Sequence, residues 1–247
     1  MAFAFYGDEA RTDSESAIVT LAGYIGLYDD WLPFEEKATK VFADFGVNVL
    51  HGVDFYHRRK DFKGWSRTKQ EDFAVAMQAL LKGAATFAVT QSCVVADFKK
   101  VKREFKVAQQ ESPYGYCFRR IVGIILKDPV MRMSFDEIEN ADVSFILEQG
   151  CNNKGDVERI YEETKRISSM RGRLAALTFA AKDSTKSLQM ADFFAYYSRR
   201  YLGTFDEKTG QNPGEPKIIS ILRDGVPIVD GVDHSFAPAN KNAKKRS

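Results

Sequence analysis

The stretch AFAFYGDEAR (2–11) joins a short apolar run to two adjacent carboxylates. Its apolar residues, Phe3 to Tyr6, predict a buried strand, and Asp8 and Glu9 follow where that strand is expected to end. A strand that ends in Asp-Glu is most often a strand that leads into a solvated turn. The same pair can also form one part of a site that holds a cation. The rest of the chain has to decide between these two interpretations.

Strand and helix patterns are mixed along the chain after this first strand. Apolar and β-branched runs predict further strands at 17–25, 85–95, 142–147 and 174–180. Apolar residues at three- and four-residue spacing predict helices at 30–45, 69–81, 156–170 and 187–202, and a mainly helical segment at 97–127 that Pro113 interrupts. The predicted class is therefore α/β with a mixed five-stranded sheet.

One domain is predicted for residues 1–205, with helical insertions at 30–83 and 97–127. Residues 206–247 are predicted as a C-terminal extension rich in Pro, Gly and Asp, and its end, NKNAKKRS (240–247), is expected to be disordered.

Composition narrows the function classes. A chain of 247 residues with 44% hydrophobic residues can bury a sizeable core, and its net charge of +2 leaves any nucleic-acid binding to local basic patches. Three cysteines lie far apart without a CxxC pair, which predicts free thiols rather than disulfides or a zinc site. No signal-peptide pattern and no apolar run of about 18 residues is present, so we expect a cytoplasmic protein without a membrane span.

Two further carboxylates occupy positions similar to that of Asp8. Glu148 follows the predicted strand DVSFIL (142–147), and Asp192 lies within the predicted helix SLQMADFFAYYSRR (187–200). Helical spacing places Asp192 on the stripe beside the apolar packing stripe, at the border between core and solvent. Each of these residues taken alone is more often a surface group.

Three carboxylates held close together repel one another unless a cation or shared protons neutralise them. Oxygen ligands favour Mg²⁺ or Mn²⁺ over zinc. Such sites activate a water molecule and clamp the leaving oxygen of a phosphodiester, often with two metal ions about 4 Å apart.

The first and last motifs resemble the family known as domain of unknown function 3800. The opening FAFYGDEA (3–10) matches the family's strand that runs into Asp-Glu, although Ala10 stands where Ser is common. The closing KDSTKSLQMADFFAYYSRR (182–200) matches its Asp-Ser and Leu-Gln-Leu-Ala-Asp pattern. Between them, VSFILEQG (143–150) resembles the family's acidic strand end, and VLHGVDF (49–55) more weakly resembles its loop histidine.

This resemblance implies a ribonuclease H-like fold over about residues 3–202. In that fold, acidic residues of the first strand, the fourth strand and the last helix gather around one or two divalent metals. Asp8, Glu148 and Asp192 fall on those three elements, and they are the implied catalytic and metal-binding residues, with Mg²⁺ or Mn²⁺ as the cofactor.

Several roles stay open. Side chains alternate between the two faces of a strand, so Asp8 and Glu9 cannot both reach one metal unless a bulge at Gly7 re-aims one of them. Asp8 is the preferred ligand, and Glu9 is a second candidate. Asp183 is either a further metal ligand or a loop-capping residue.

Lys182 and Gln189 are supporting candidates, and His51 is a further candidate catalytic residue. Lys182 either meets phosphate or pairs with the acidic residues, and Gln189 lies one turn before Asp192 and could orient it. His51 is either a catalytic proton shuttle or a structural residue of the loop.

A basic and aromatic stretch, FYHRRKDFKGW (55–65), is the candidate nucleic-acid contact. Arg58, Arg59 and Lys60 could meet phosphates, while Tyr56, Phe62 and Trp65 could stack on bases. The alternative is a solvated loop whose aromatic residues are anchored in the core.

The sequence thus predicts a metal-dependent nuclease or related phosphodiesterase that acts on RNA or DNA. The alternative is a nucleic-acid-binding or interaction module that has the same fold and no catalytic activity.

Overall fold

The computed structural model describes residues 1–10, 17–104, 111–127, 141–150, 153–167, 173–203, 217–223 and 226–232. Within these ranges, one six-stranded sheet is flanked by eight α-helices. The strands are β1 (Ala2–Ala10), β2 (Ile18–Leu27), β3 (Phe87–Val94), β4 (Asp142–Glu148), β5 (Leu174–Ala180) and β6 (Ile228–Val232). The helices are α1 (Tyr28–Phe45), α2 (Gly52–His57), α3 (Arg67–Leu81), α4 (Val95–Glu104), α5 (Pro113–Lys127), α6 (Lys154–Arg166), α7 (Lys186–Gly203) and α8 (Lys217–Arg223). None of these helices is long and apolar enough to cross a membrane.

The sheet has the strand order β5-β4-β1-β2-β3-β6. Strands β1, β2 and β3 form an antiparallel meander, β4 and β5 run parallel to β1, and β6 runs parallel to β3. The prediction of a mixed α/β sheet is confirmed. The predicted count of five strands is wrong, because β6 pairs with the outer edge of β3. This short strand lies in the predicted C-terminal extension, where Pro227 and Gly231 hide its pattern, and pairing with β3 stabilises it.

Strand β1 extends further than its apolar run predicts. It pairs with β2 in unbroken register through Ala10, with Asp8 opposite Ala22 and Glu9 opposite Leu21. The two carboxylates therefore lie within the strand and not in a turn after it, because the antiparallel ladder continues to satisfy their backbone groups. No bulge interrupts β1 at Gly7.

The two faces of the central strands differ in side-chain size. On one face, Ala4, Ala22 and Ala88 pack in the cluster that includes α7. On the other face, larger side chains such as Phe3 and its partner on β4, Val143, pack in the cluster that includes α5 and α6. Small side chains let a helix approach the sheet closely. As a result, α7 packs directly across β1 and β2.

Helix α7 is enclosed more completely than its amphipathic pattern predicts. Every residue from Ser187 to Ser198 is buried, since the sheet covers one side and α1, α2 and α8 pack on others. Asp192 is only 6% exposed, so its predicted position at a border with solvent is wrong. The covering helices come from distant parts of the chain, which helical periodicity alone does not reveal.

The segment between α1 and α3 is helical over part of its length. It contains α2 and a short 3₁₀ helix, Lys60–Phe62. Phe55, Phe62 and Trp65 are buried in the cluster that also contains α7. Two of the three aromatic residues proposed to stack on bases, Phe62 and Trp65, are therefore core residues, whereas Tyr56 is 38% exposed.

Candidate functional site

Asp8 lies at the centre of the sheet, on the strand between β2 and β4. The even-numbered side chains of β1 point towards α7, and Asp8 is 1% exposed beneath that helix. Its Oδ1 accepts a hydrogen bond from the Glu9 backbone N–H at 2.7 Å. A carboxylate so far from solvent requires a compensating charge or a proton.

Glu148 is the last residue of β4, the parallel neighbour of β1. Its side chain is 28% exposed, so it lies at the mouth of the site. Because β4 and β1 are adjacent and parallel, the end of β4 brings this carboxylate to the same edge of the sheet as Asp8.

Asp192 projects from α7 towards the same point. Its Oδ2 accepts a hydrogen bond from the backbone N–H of Gly52 at 2.6 Å, at the start of α2. A Cβ atom at Gly52 would lie 2.7 Å from Cβ of Tyr196, one helical turn after Asp192. Glycine at position 52 therefore allows the backbone contact that orients the Asp192 carboxylate.

These three carboxylates meet at one atom, the side-chain nitrogen of Lys182. Lys182 Nζ lies 3.2 Å from Asp8 Oδ2, 3.2 Å from Glu148 Oε1 and 2.8 Å from Asp192 Oδ1. All three oxygens lie within 3.2 Å of the same nitrogen atom. Any two of them are therefore much closer together than about 10 Å, the separation that would prevent a shared metal pair. Lys182 belongs to a 3₁₀ helix, Lys182–Ser184, between β5 and α7.

The charges in this acidic cluster, Asp8, Glu148 and Asp192, perturb one another strongly. Burial raises the pKa of Asp8 well above its usual value, and the nearby carboxylates of Asp192 and Glu148 raise it further against the opposing effect of Lys182. Burial acts to lower the pKa of Lys182, but attraction to Asp8, Asp192 and Glu148 outweighs it and raises that pKa. Lys182 is therefore an ammonium at neutral pH, and an ionised Asp8 depends on this or another cation.

A second set of contacts fixes the segment that carries His51. Gln189 is fully buried, and its Oε1 accepts a hydrogen bond from the Leu50 backbone N–H at 2.7 Å. His51 Nδ1 lies 3.7 Å from Asp192 Oδ2, beyond hydrogen-bond distance, and its side chain is 38% exposed. The structure thus places the supporting candidate Gln189 and the catalytic candidate His51 beside Asp192.

Two acidic candidates lie outside this cluster. Glu9 points to the opposite face of the sheet, where its charge acts on buried Cys117 of α5. Regular alternation along β1 makes this unavoidable once Asp8 faces α7. Asp183 is exposed on the 3₁₀ helix, with no contact to the cluster among the described residues.

The basic candidates form an exposed surface at the end of α2. Arg58, Arg59 and Lys60 are all exposed. Arg58 Nε donates to Gln70 Oε1 at 2.9 Å, and Lys60 Nζ pairs with Asp54 Oδ2 at 2.7 Å. The aromatic residue nearby is Tyr56, whose ring lies 3.9 Å from the guanidinium carbon of Arg200.

Glu35 of α1 is a site residue that sequence reasoning missed. Its carboxylate accepts hydrogen bonds from the backbone N–H groups of Lys186 and Ser187 at 2.7 and 2.8 Å, and from Ser187 Oγ at 2.6 Å. The first N–H groups of a helix have no acceptor within the helix, and Glu35 supplies one at the start of α7. Glu35 therefore caps the helix that carries Asp192. The contact spans more than 150 positions, and no local signal in the sequence points to it.

The donor set suits a hard divalent cation. Three carboxylate oxygens, one of them a buried Asp8 oxygen without a hydrogen bond, surround a single positive charge. Mg²⁺ and Mn²⁺ prefer such oxygen ligands. In the part of the chain that the structure describes, no three His, Cys, Asp or Glu side chains are already arranged as metal ligands.

Comparison with models of known protein families gives no match to this chain, and a search among curated proteins gives no significant relative.

Proposed function

We propose that this chain is a divalent-metal-dependent nuclease or related phosphodiesterase with a ribonuclease H-like core. The observation that carries the proposal is the meeting of Asp8, Glu148 and Asp192 around one cationic atom. They come from β1, β4 and α7, and the resemblance to domain of unknown function 3800 implies the first strand, the fourth strand and the last helix, although here the short helix α8 follows α7.

Each residue has a definite role in this proposal. Asp8 and Asp192 supply buried ligand oxygens, and Glu148 supplies one at the solvent-facing mouth. Bound Mg²⁺ or Mn²⁺ would supply an activated water and a clamp for the leaving oxygen. Gly52 and Gln189 hold the α2 segment against α7, which keeps His51 close enough to Asp192 to carry a proton to or from the reacting group.

The substrate in this proposal is a nucleic acid, since exposed Arg58, Arg59 and Lys60 lie on the same helix–loop segment as His51 and Gly52. Their positive charges would meet phosphates along a strand whose scissile group lies at the acidic cluster. Tyr56 and Arg200 offer one exposed aromatic and cationic surface nearby.

The decisive experiment replaces Asp192 by Asn and measures cleavage of labelled single- and double-stranded RNA and DNA with Mg²⁺ or Mn²⁺. We expect Asp192→Asn to cleave about 100-fold or more slowly than the wild type, because it lacks an oriented, charge-stabilising group. Asp183→Asn is the matched control, because it removes the same charge from an exposed position nine residues away. Cleavage that survives in Asp192→Asn, or a wild type that cuts none of the four substrates, would refute the proposal.

An inactive binding module is the second candidate, and Lys182 favours it. An ammonium that neutralises the carboxylates removes the need for a metal to stabilise the fold. This candidate predicts salt-sensitive nucleic-acid binding without cleavage, and no rise in melting temperature with Mn²⁺. A ligand that binds the folded state alone raises that temperature, so thermal melts with and without Mn²⁺ separate the two candidates.

A further inference from the structure

Lys182 Nζ lies among the three carboxylates that the proposed metal would use as ligands. We propose that Lys182 is a displaceable internal counter-ion, which holds the acidic cluster together without metal and which a divalent cation must expel in order to bind. This inference rests on the proposed metal-dependent function and adds to it a rule for how the site is loaded.

The first argument is that the ammonium and a metal would compete for the same atoms. Lys182 Nζ contacts Asp8 Oδ2, Glu148 Oε1 and Asp192 Oδ1 at 2.8 to 3.2 Å. Mg²⁺ binds carboxylate oxygens at about 2.1 Å, so a cation held by these three oxygens would lie against the nitrogen. Two positive charges in contact at a buried site repel strongly, and the two occupants exclude each other.

The second argument is that no other cation among the described residues neutralises the cluster. Asp8 is 1% exposed, and its Oδ2 has Lys182 as its ion-pair partner. His51 is the nearest further basic group to Asp192, at 3.7 Å, and its side chain is 38% exposed. Among the described residues, Lys182 is therefore the one cation within ion-pair distance of all three carboxylates.

The third argument is that Lys182 has room to leave. Its backbone lies in a single-turn 3₁₀ segment outside the sheet, and both neighbours, Ala181 and Asp183, are exposed. Its side chain is 15% exposed, on a flexible four-carbon stem. In this proposal, rotation of that stem carries the ammonium towards the mouth of the site.

Calorimetric titration with Mn²⁺ tests the competition directly. We expect Lys182→Met, which keeps the stem and removes the charge, to bind Mn²⁺ with a Kd about tenfold or more below that of the wild type. Lys186→Met is the matched control. Its Nζ donates to the Asn48 carbonyl oxygen and pairs with none of the three carboxylates, so its Kd should equal that of the wild type. Equal or weaker Mn²⁺ binding by Lys182→Met overturns the proposal.

A lysine-acylation footprint on the wild-type protein needs no variant and covers the case in which Lys182→Met does not fold. Without metal, Lys182 should react several-fold more slowly than Lys186. Saturating Mn²⁺ should raise the acylation of Lys182 several-fold and leave Lys186 unchanged. Unchanged or slower acylation of Lys182 with Mn²⁺ overturns the displacement.

These outcomes are distinct from a failure of the proposed enzyme. Mn²⁺ binding by Lys182→Met together with no binding by the wild type supports the counter-ion and counts against metal-dependent catalysis. Equal Mn²⁺ binding by both proteins, with cleavage intact in the wild type, overturns the counter-ion and leaves the nuclease proposal standing. Absence of Mn²⁺ binding in both proteins overturns the counter-ion.

Discussion

At the scale of the residue, Asp8 shows how one position can carry an unfavourable charge inside a stable fold. Its backbone is part of a regular antiparallel ladder, while its side chain is buried beside two other carboxylates. The strand is stabilised by its neighbours on β2 and β4, so the cost of the charge is local. Such perturbed carboxylates are concentrated at functional sites.

The raised pKa of Asp8 predicts how stability depends on pH. The folded chain keeps this proton to a higher pH than the unfolded chain, so folding stability falls as pH rises from about 4 through the raised folded value. We expect Asp8→Asn, which cannot ionise, to remove this loss and to melt about 2–4 °C above the wild type at pH 8 in EDTA.

Thermal melts at pH 5 and pH 8 in EDTA check this prediction. Asp183→Asn is the control, since the same change at an exposed position should follow the wild-type profile. A lower melting temperature of Asp8→Asn at pH 8 would show that the ionised carboxylate stabilises the fold through Lys182.

At the scale of the element, α7 is the part of the structure on which the site depends. It packs on the small side chains of β1 and β2, and contacts with α1 and the α2 segment set its position. Glu35 holds its first turn, Gln189 holds Leu50, and Asp192 holds Gly52. Each of these is a polar contact between segments far apart in sequence, so the position of Asp192 depends on the surrounding helices.

Glu35 allows a direct test of this dependence. We expect Glu35→Ala to lower the free energy of unfolding by about 1–2 kcal/mol, since it leaves the capped N–H groups of Lys186 and Ser187 without their acceptor. Glu36→Ala is the control, because Glu36 is the exposed next residue of α1. Urea denaturation measures both variants, and equal stability of the two would show that the cap has no energetic role.

At the scale of the whole molecule, the C-terminal strand β6 covers one edge of the sheet. β6 pairs with the edge of β3, and Leu222 and Val226 are buried in the cluster that contains α7. An uncovered β3 would expose a row of unpaired backbone groups, which favours association between chains. Residues 217–223 and 226–232 are therefore part of the folded unit.

Truncation tests this role of the C-terminal segment. We expect a chain that ends at residue 203 to melt several degrees lower and to self-associate, because it lacks the buried residues and the edge strand. A chain that ends at residue 232 is the control and should behave as the full chain. Light scattering coupled to size exclusion and thermal melts measure both effects. The prediction is wrong if both truncated chains stay monomeric and equally stable.

Local patterns in the sequence determined much of the fold. Apolar and β-branched runs located five of the six strands, and β5 agrees with its predicted bounds at both ends. These signals are local because they depend on neighbouring residues and on backbone preferences. The strand β6 was not predicted, because its five residues lie among Pro and Gly and their apolar pattern is too weak to indicate a strand. Pairing with β3 stabilises it.

The sequence also identified which residue types could form a site, but it could not place them. It left open whether Asp8 or Glu9 points to the face of the sheet that carries the site, and it placed Asp192 at a border with solvent. The tertiary structure decided both matters, because the face of a strand and the burial of a helix depend on what packs against them. Only that packing shows Lys182 at the meeting point of Asp8, Glu148 and Asp192, since charge interactions between distant segments follow from distance in space and not from order along the chain.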